Sequence, residues 1–211
     1  MRFKSLLFVI AAFLPFAASA AEPYTEGVHY TRIEPPQPVE AAPGKTQVAE
    51  FFWYGCPHCR ELEPYVQQWL KRGPTAVDFV RVPASFRKNI WHLHAKAYYT
   101  AEALGVLDRL HEDMFTAMHD RNQRLASEDE LARFFADRGV PEKDFRGTFN
   151  SFTVDAKVSR AMELVKRYGL TGVPALVVAG KYLVEGSMAG TYQNMLRIAE
   201  YLAQTEARVT R

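Results

Sequence analysis

Three observations on this 211-residue chain predict an α/β fold, a central mixed sheet flanked by helices, with an inserted all-helical unit. A strand–helix–strand pattern occupies residues 47–82. Residues 88–154 carry helical patterns and no clear strand. Residues 155–211 return to helix, strand, strand and helix. With 48% apolar and 13% aromatic residues, the chain has enough material for a real core, in one ordinary domain or two small ones.

Residues 1–20 read as an export signal. Arg2 and Lys4 form a basic start, Leu6 to Phe16 a short apolar core, and Ala18-Ser19-Ala20 a small-x-small cleavage site, which places the mature N-terminus at Ala21. The apolar core is too short to span a bilayer, which argues against a retained anchor. Arg2 and Lys4 also account for the net charge of +2, so the mature chain is neutral. A neutral chain without a basic run has no electrostatic footprint for nucleic acid or anionic lipid. The expected domains are a discontinuous unit of residues 21–87 and 155–211, and the helical insertion of residues 88–154.

A short strand is expected at Val28–Ile33, followed by an extended connector from Glu34 to Gly44 with four prolines. Gln47–Tyr54, rich in aromatic and apolar residues, suits a buried central strand. Cys59, Leu62, Val66 and Trp69 or Leu70 then recur at helical spacing, with Pro64 expected to kink the helix and Gly73-Pro74 to end it. Val77–Val82 is the next strand. In the insertion, Trp91–Leu104 and Leu107–Met118 read as helices. Ser127 and Glu130 form a capping box for a third helix, which stops at Gly139 before Pro141. Val154, Val158, Ala161, Val165 and Tyr168 space as a long helix ending at Gly169. Ala175–Ala179 and Tyr182–Glu185 form a hairpin around Gly180-Lys181, and Tyr192 to Leu202 line a last helix.

Chemistry concentrates at Cys56-Pro57-His58-Cys59. These are the only two cysteines, so each has only the other as a disulfide partner within the chain. Crosslinking residues so close removes little unfolded-state entropy, which favours a chemical over a structural role. At a helix start, unpaired backbone N–H groups and the macrodipole favour an anionic Cys56. His58 should add to this by hydrogen bond or charge, and Pro57 suits helix entry. A stabilised thiolate means a stabilised reduced state, hence a reactive disulfide and a strong oxidant. Cys59, one turn into the helix, should be less exposed and act as the resolving partner. Glu50 is the sole charge in its apolar strand. If buried, its pKa would rise and it could pass a proton to or from Cys59; the alternative is a side chain that reaches water. Trp53 and Tyr54 read either as core or as the border of an apolar surface for unfolded chains, a rim that Met188 and Tyr192 could join although the sequence does not show it. His92, His94, His111 and His119 lack the strong zinc spacings, so no metal site is expected.

Glu-Phe-Phe at Glu50, the Pro-His dipeptide between the cysteines, Pro64 at its offset from Cys59, the helical insertion and the distant Gly172-Val173-Pro174 together resemble the DsbA family of the thioredoxin fold. The resemblance covers essentially the whole mature chain. It implies a periplasmic dithiol oxidase that donates the Cys56–Cys59 disulfide to newly exported, cysteine-containing proteins through a mixed disulfide on Cys56. It implies a cis Val173–Pro174 peptide packed against the cysteines, with the Val173 backbone pairing with a substrate strand. It further implies reoxidation by a DsbB-like inner-membrane protein, a monomer, and no cofactor beyond the redox-active disulfide. Two rivals remain at this point. An isomerase or reductase of the same fold usually carries an N-terminal dimerisation module, for which too little chain precedes the first strand. A metal carrier using Cys56, Cys59 and His58 would need a fourth nearby ligand.

Overall fold

β2, Thr46–Phe52, is the central strand, and every residue in it except Gln47 is buried. The computed structural model describes residues 23–209, and the export signal assigned to residues 1–20 lies outside them. On one side β2 pairs in parallel with β3, Val77–Pro83; on the other it pairs antiparallel with β4, Ala175–Val178. β5, Tyr182–Glu185, continues the sheet antiparallel to β4, and the edge strand β1, Thr31–Arg32, closes the order β1-β5-β4-β2-β3. The parallel β2–β3 pair needs a crossover, supplied by helix α1, Pro57–Lys71.

The first strand is shorter than the sequence pattern suggests. Gly27 takes a φ of +80°, its N–H bonds the Tyr30 carbonyl at 2.8 Å, and His29 N–H bonds Thr25 at 2.9 Å. This local turn satisfies the backbone that a ladder would have used, and leaves Val28 58% exposed. The hairpin turn also shifts by one residue. Lys181 N–H returns to the Val178 carbonyl at 2.9 Å, with Ala179 and Gly180 at φ +55° and +64° between them. Gly180 is obligatory for a second reason: the proline-rich strap crosses it, and a Cβ there would sit 2.1 Å from the Gln37 carbonyl oxygen.

Four helices follow β3: α2, Ile90–Ala103; α3, Leu107–His119; α4, Glu128–Ala136; and α5, Glu142–Phe149. Ser127 caps α4 by accepting from Glu130 N–H at 3.2 Å, but the Glu130 carboxylate reaches one residue further back than expected, to Ala126 N–H at 2.7 Å. α5 was not expected. It is short, contains Gly147 and shows only Phe145 and Phe149 as an apolar stripe; Phe145 packs against Phe135 of α4, and Phe149 stacks on Phe145. The long helix α6, Phe152–Arg167, starts before the anticipated Val154 because Ser151 accepts from Val154 N–H at 3.3 Å. A single turn, α7, Gly186–Ala189, and the C-terminal helix α8, Tyr192–Val209, complete the described residues. α1 is continuous through Pro64.

Two buried clusters flank the sheet. One joins Val48, Leu176 and Val184 to Leu62, Val66 and Trp69 of α1 and to the apolar face of α8. The other places Phe51, Ala49 and Val177 against Ala161, Val165 and Tyr168 at α6. A third cluster fills α2–α5 and takes in Phe52, Tyr54, Cys56 and Cys59, so the helices after β3 pack directly onto the end of the central strand and the cysteine pair.

Candidate functional site

The β2 ladder ends at Phe52, and the chain then turns, with Cys56 N–H on the Trp53 carbonyl at 2.9 Å. Tyr54 is fully buried core; Trp53 is half-buried and outside the strand, which shortens the expected Gln47–Tyr54. Cys56 is the N-cap residue of α1 and Pro57 opens its first turn. Cys56 retains 8% exposure and Cys59 none, and both are free thiols.

The two sulfurs have opposite environments. The Cys59 thiol donates to Cys56 and, with the backbone N–H groups of Cys59 and His58 and the His58 charge, more than offsets burial; the Cys56 pKa falls to about 6. Cys59 moves far the other way, because burial disfavours its anion, its own hydrogen is given to Cys56, and the charges on Cys56 and Glu50 repel a second anion. The Cys56 thiol donates in turn to the Val173 carbonyl at 3.4 Å, and the Val173–Pro174 peptide is cis.

The His58 imidazole is not on the sulfur. It is 71% exposed, with Nδ1 3.2 Å from Glu61 Oε2 and 3.2 Å from Tyr192 Oη, while Tyr192 donates to the same carboxylate at 2.7 Å. His58 therefore acts on Cys56 through its backbone N–H first and its side-chain charge second. His58, Tyr65, Val173, Pro174 and Tyr192 line a groove of about 640 Å³ beside the cysteines. Met188 does not line this groove.

Glu50 is 1% exposed, and burial outweighs Arg81 in raising its pKa to about 7. Sequence reasoning missed what surrounds it. Glu50 pairs in register with Arg81 on β3, and Arg81 also meets Glu63 of α1 at 2.8 Å. Glu63 lies one turn beyond Cys59 on the buried stripe of α1, so the helical spacing already contained that signal. His111 and His119, set aside as poor metal ligands, both bond Tyr54: His111 Nδ1 at its hydroxyl, 2.9 Å, and His119 Nε2 at its carbonyl, 2.7 Å. His94 accepts from Trp53 Nε1–H at 3.0 Å, and its other nitrogen donates to the Leu125 carbonyl at 3.1 Å.

A helix-start thiol of low pKa, a buried partner thiol and a facing cis-proline loop on a mixed sheet define a thiol–disulfide oxidoreductase of the thioredoxin fold. The chain belongs to the DsbA-like thioredoxin domain family, whose pattern matches residues 47–202. The thiol:disulfide interchange protein DsbA of Pseudomonas aeruginosa PAO1 is 40% identical over 189 residues, 90% of this chain and 89% of the relative. The DsbA of Burkholderia cepacia is 37% identical over 187 residues, 89% and 87% of the two chains. The crystal structure of Pseudomonas aeruginosa DsbA superposes with a TM-score of 0.83 at 39% identity, over 90% of this chain and 98% of that one. That of the Xylella fastidiosa oxidoreductase DsbA gives 0.81 at 34% identity, over 88% and 98%. This chain is a protein thiol:disulfide oxidoreductase. Among the described residues no helix is long and apolar enough to cross a membrane.

Proposed function

We propose that this enzyme is a periplasmic disulfide donor whose clients are newly exported proteins carrying free cysteines, and that the asymmetry of its two thiols sets the direction of reaction. A client thiolate attacks Cys56 Sγ; the Cys56–Cys59 bond breaks and Cys59 leaves with the electron pair. A second client thiolate then attacks the client sulfur of the mixed disulfide, and Cys56 leaves as a thiolate. Two electrons pass from the client thiols to the cysteine pair, and the client gains a disulfide. The low pKa of Cys56 makes it a good leaving group and stabilises the reduced enzyme, which makes the disulfide oxidising.

Cys59 needs a proton when it leaves, because its buried anion is disfavoured. Glu50, buried and titrating near pH 7, supplies that proton and takes it back on reoxidation. The groove formed by Tyr65, Pro174 and Tyr192 receives the client chain, with the Val173 backbone pairing with it as an added strand. Residues 88–154 act as a cap on the unit formed by 21–87 and 155–211, a division supported by the packing of α2–α5 onto Phe52 and the cysteines. The export signal at 1–20 carries the chain to the periplasm, a DsbB-like membrane protein reoxidises it, and it works as a monomer without metal or organic cofactor.

The observation that carries this reading is the depressed Cys56 beside the elevated Cys59. Its test is the reduction potential of the couple, measured by equilibration with glutathione. A donor should lie above about −200 mV, whereas a value near about −270 mV would mark a reductant and overturn the proposal.

A further inference from the structure

Glu50, Arg81, Glu63, His111 and Tyr54 form a continuous line of polar side chains beneath the cysteine pair. Arg81 Nε is 3.2 Å from Glu50 Oε2, and Arg81 Nη2 is 2.8 Å from Glu63 Oε1. Both acids are 1% exposed. Two carboxylates on one guanidinium leave an uncompensated buried charge, which is costly, so the cluster is neutral only while one acid keeps its proton.

The neighbours decide which acid that is. Glu63 Oε1 also accepts from Gln67 Nε2 at 2.6 Å, and Glu63 Oε2 faces His111 Nε2 at 3.5 Å. Glu50 Oε2 has no aligned donor, and His111 Nε2 approaches Glu63 Oε2 at ion-pair distance without hydrogen-bond alignment. His111 is oriented from its far side: Nδ1 lies 2.9 Å from the Tyr54 hydroxyl. With Nε2 facing a carboxylate, the hydrogen belongs on Nε2, and Nδ1 accepts from Tyr54. Burial would push Glu63 up, but the His111 N–H facing it and the charge of Arg81 hold it below the usual carboxylate range, whereas burial takes Glu50 up to about 7. The other groups around the cluster do not change this balance. Tyr98 of α2 packs edge-on to His111 with its hydroxyl on the Arg81 carbonyl, and Glu112 of α3 turns outward to Arg60.

We propose that His111, held in one tautomer by Tyr54, is a positioning residue that keeps the negative charge of the buried acid pair on Glu63 and so leaves the proton on Glu50. α3 thereby sets the protonation of an acid on the central strand. The inference builds on the proton role proposed for Glu50, but its test needs no turnover.

The test follows the Glu50 side-chain carboxyl by carbon NMR across pH in the reduced mature protein and three variants. His111→Asn keeps a partner for Tyr54 but falls short of Glu63; His111→Gln restores an N–H near the Nε2 position; Glu63→Gln removes the competing charge. We expect His111→Asn and Glu63→Gln to lower the Glu50 midpoint by about one unit, a tenfold change in its ionisation, and His111→Gln to keep it near the native value. An unchanged midpoint in folded His111→Asn, or an equal fall in His111→Gln, would overturn the proposal. Should His111→Asn not fold, an unchanged midpoint in Glu63→Gln overturns it equally. If the midpoints move as stated while the rate of Cys59 release ignores pH, the proton role of Glu50 fails and the control by His111 stands.

Discussion

The Cys56 thiol donates to the carbonyl oxygen of Val173 at 3.4 Å, across a sequence separation of 117 residues. The helix start and the loop before β4 are thus one surface, and the backbone acceptor proposed for the client strand is held by the reactive thiol. Ionising Cys56 removes that donor, so the carbonyl is released as the nucleophile forms.

Cys56→Ser should abolish client oxidation, because the buried Cys59 is left with no partner and the protein holds no disulfide to donate. Cys59→Ser should retain the reactive Cys56, whose thiolate attacks the disulfide of an oxidised client, expels one client thiolate and accumulates adducts that a reducing agent releases. Non-reducing gels with mass spectrometry of the adducts check both. Absence of adducts in the Cys59→Ser protein would reverse the assigned roles.

His58→Leu should raise the Cys56 pKa while leaving it below the ordinary thiol value of about 8.5. The bond from the Cys59 thiol and the two backbone N–H groups survive the change, and only the imidazole charge is lost. Thiolate absorbance against pH reads this directly. A full return to the ordinary value would show that the side chain dominates.

Gly55→Ala should destabilise the protein by about 1–3 kcal/mol through overpacking. A Cβ at this position would lie 2.4 Å from the Trp53 indole. The indole cannot retreat: Trp91 stacks on it at 4.2 Å and His94 holds its N–H. Thermal unfolding together with tryptophan fluorescence checks this, and an unchanged melting temperature with an unchanged spectrum would refute it.

The stability of the reduced protein should rise with pH relative to the oxidised form. Cys56 is an acid whose folded value of about 6 lies well below the ordinary thiol value. Its ionisation therefore stabilises the fold above the unfolded value, and the contribution disappears as pH falls through about 6. Cys59, shifted upward, opposes this only once pH exceeds the ordinary thiol range. Glu50 is present in both redox forms and largely cancels from the difference. Melting temperatures of the two forms between about pH 5 and pH 8 should diverge by a few degrees, at about 2–4 °C per kcal/mol. Parallel curves would mean that Cys56 is not depressed in the fold.

Local chemistry explains what was legible without coordinates. The strand Glu50-Phe51-Phe52, the helix stripe of Cys59, Leu62 and Val66, and the Ser127 cap each depend on residues within a turn or two of one another. α5 escaped notice because its two phenylalanines are a bare pair until Phe145 meets Phe135 of another helix. Val28–Ile33 misled because a pattern suited to a strand was diverted by hydrogen bonds around Gly27.

The amino-acid order alone determined the strand-to-helix junction that acidifies Cys56, since the helix-end N–H groups, Pro57 and the second cysteine all lie within four residues. It could not place His58, whose imidazole was drawn to Glu61 and to Tyr192 on α8. Nor could it show that Glu50 shares Arg81 with Glu63 and that His111 reaches Glu63 from α3. Those outcomes belong to the tertiary structure, because the proton on a buried acid is settled by which charges and donors packing brings within hydrogen-bond range, and here they come from four separate elements.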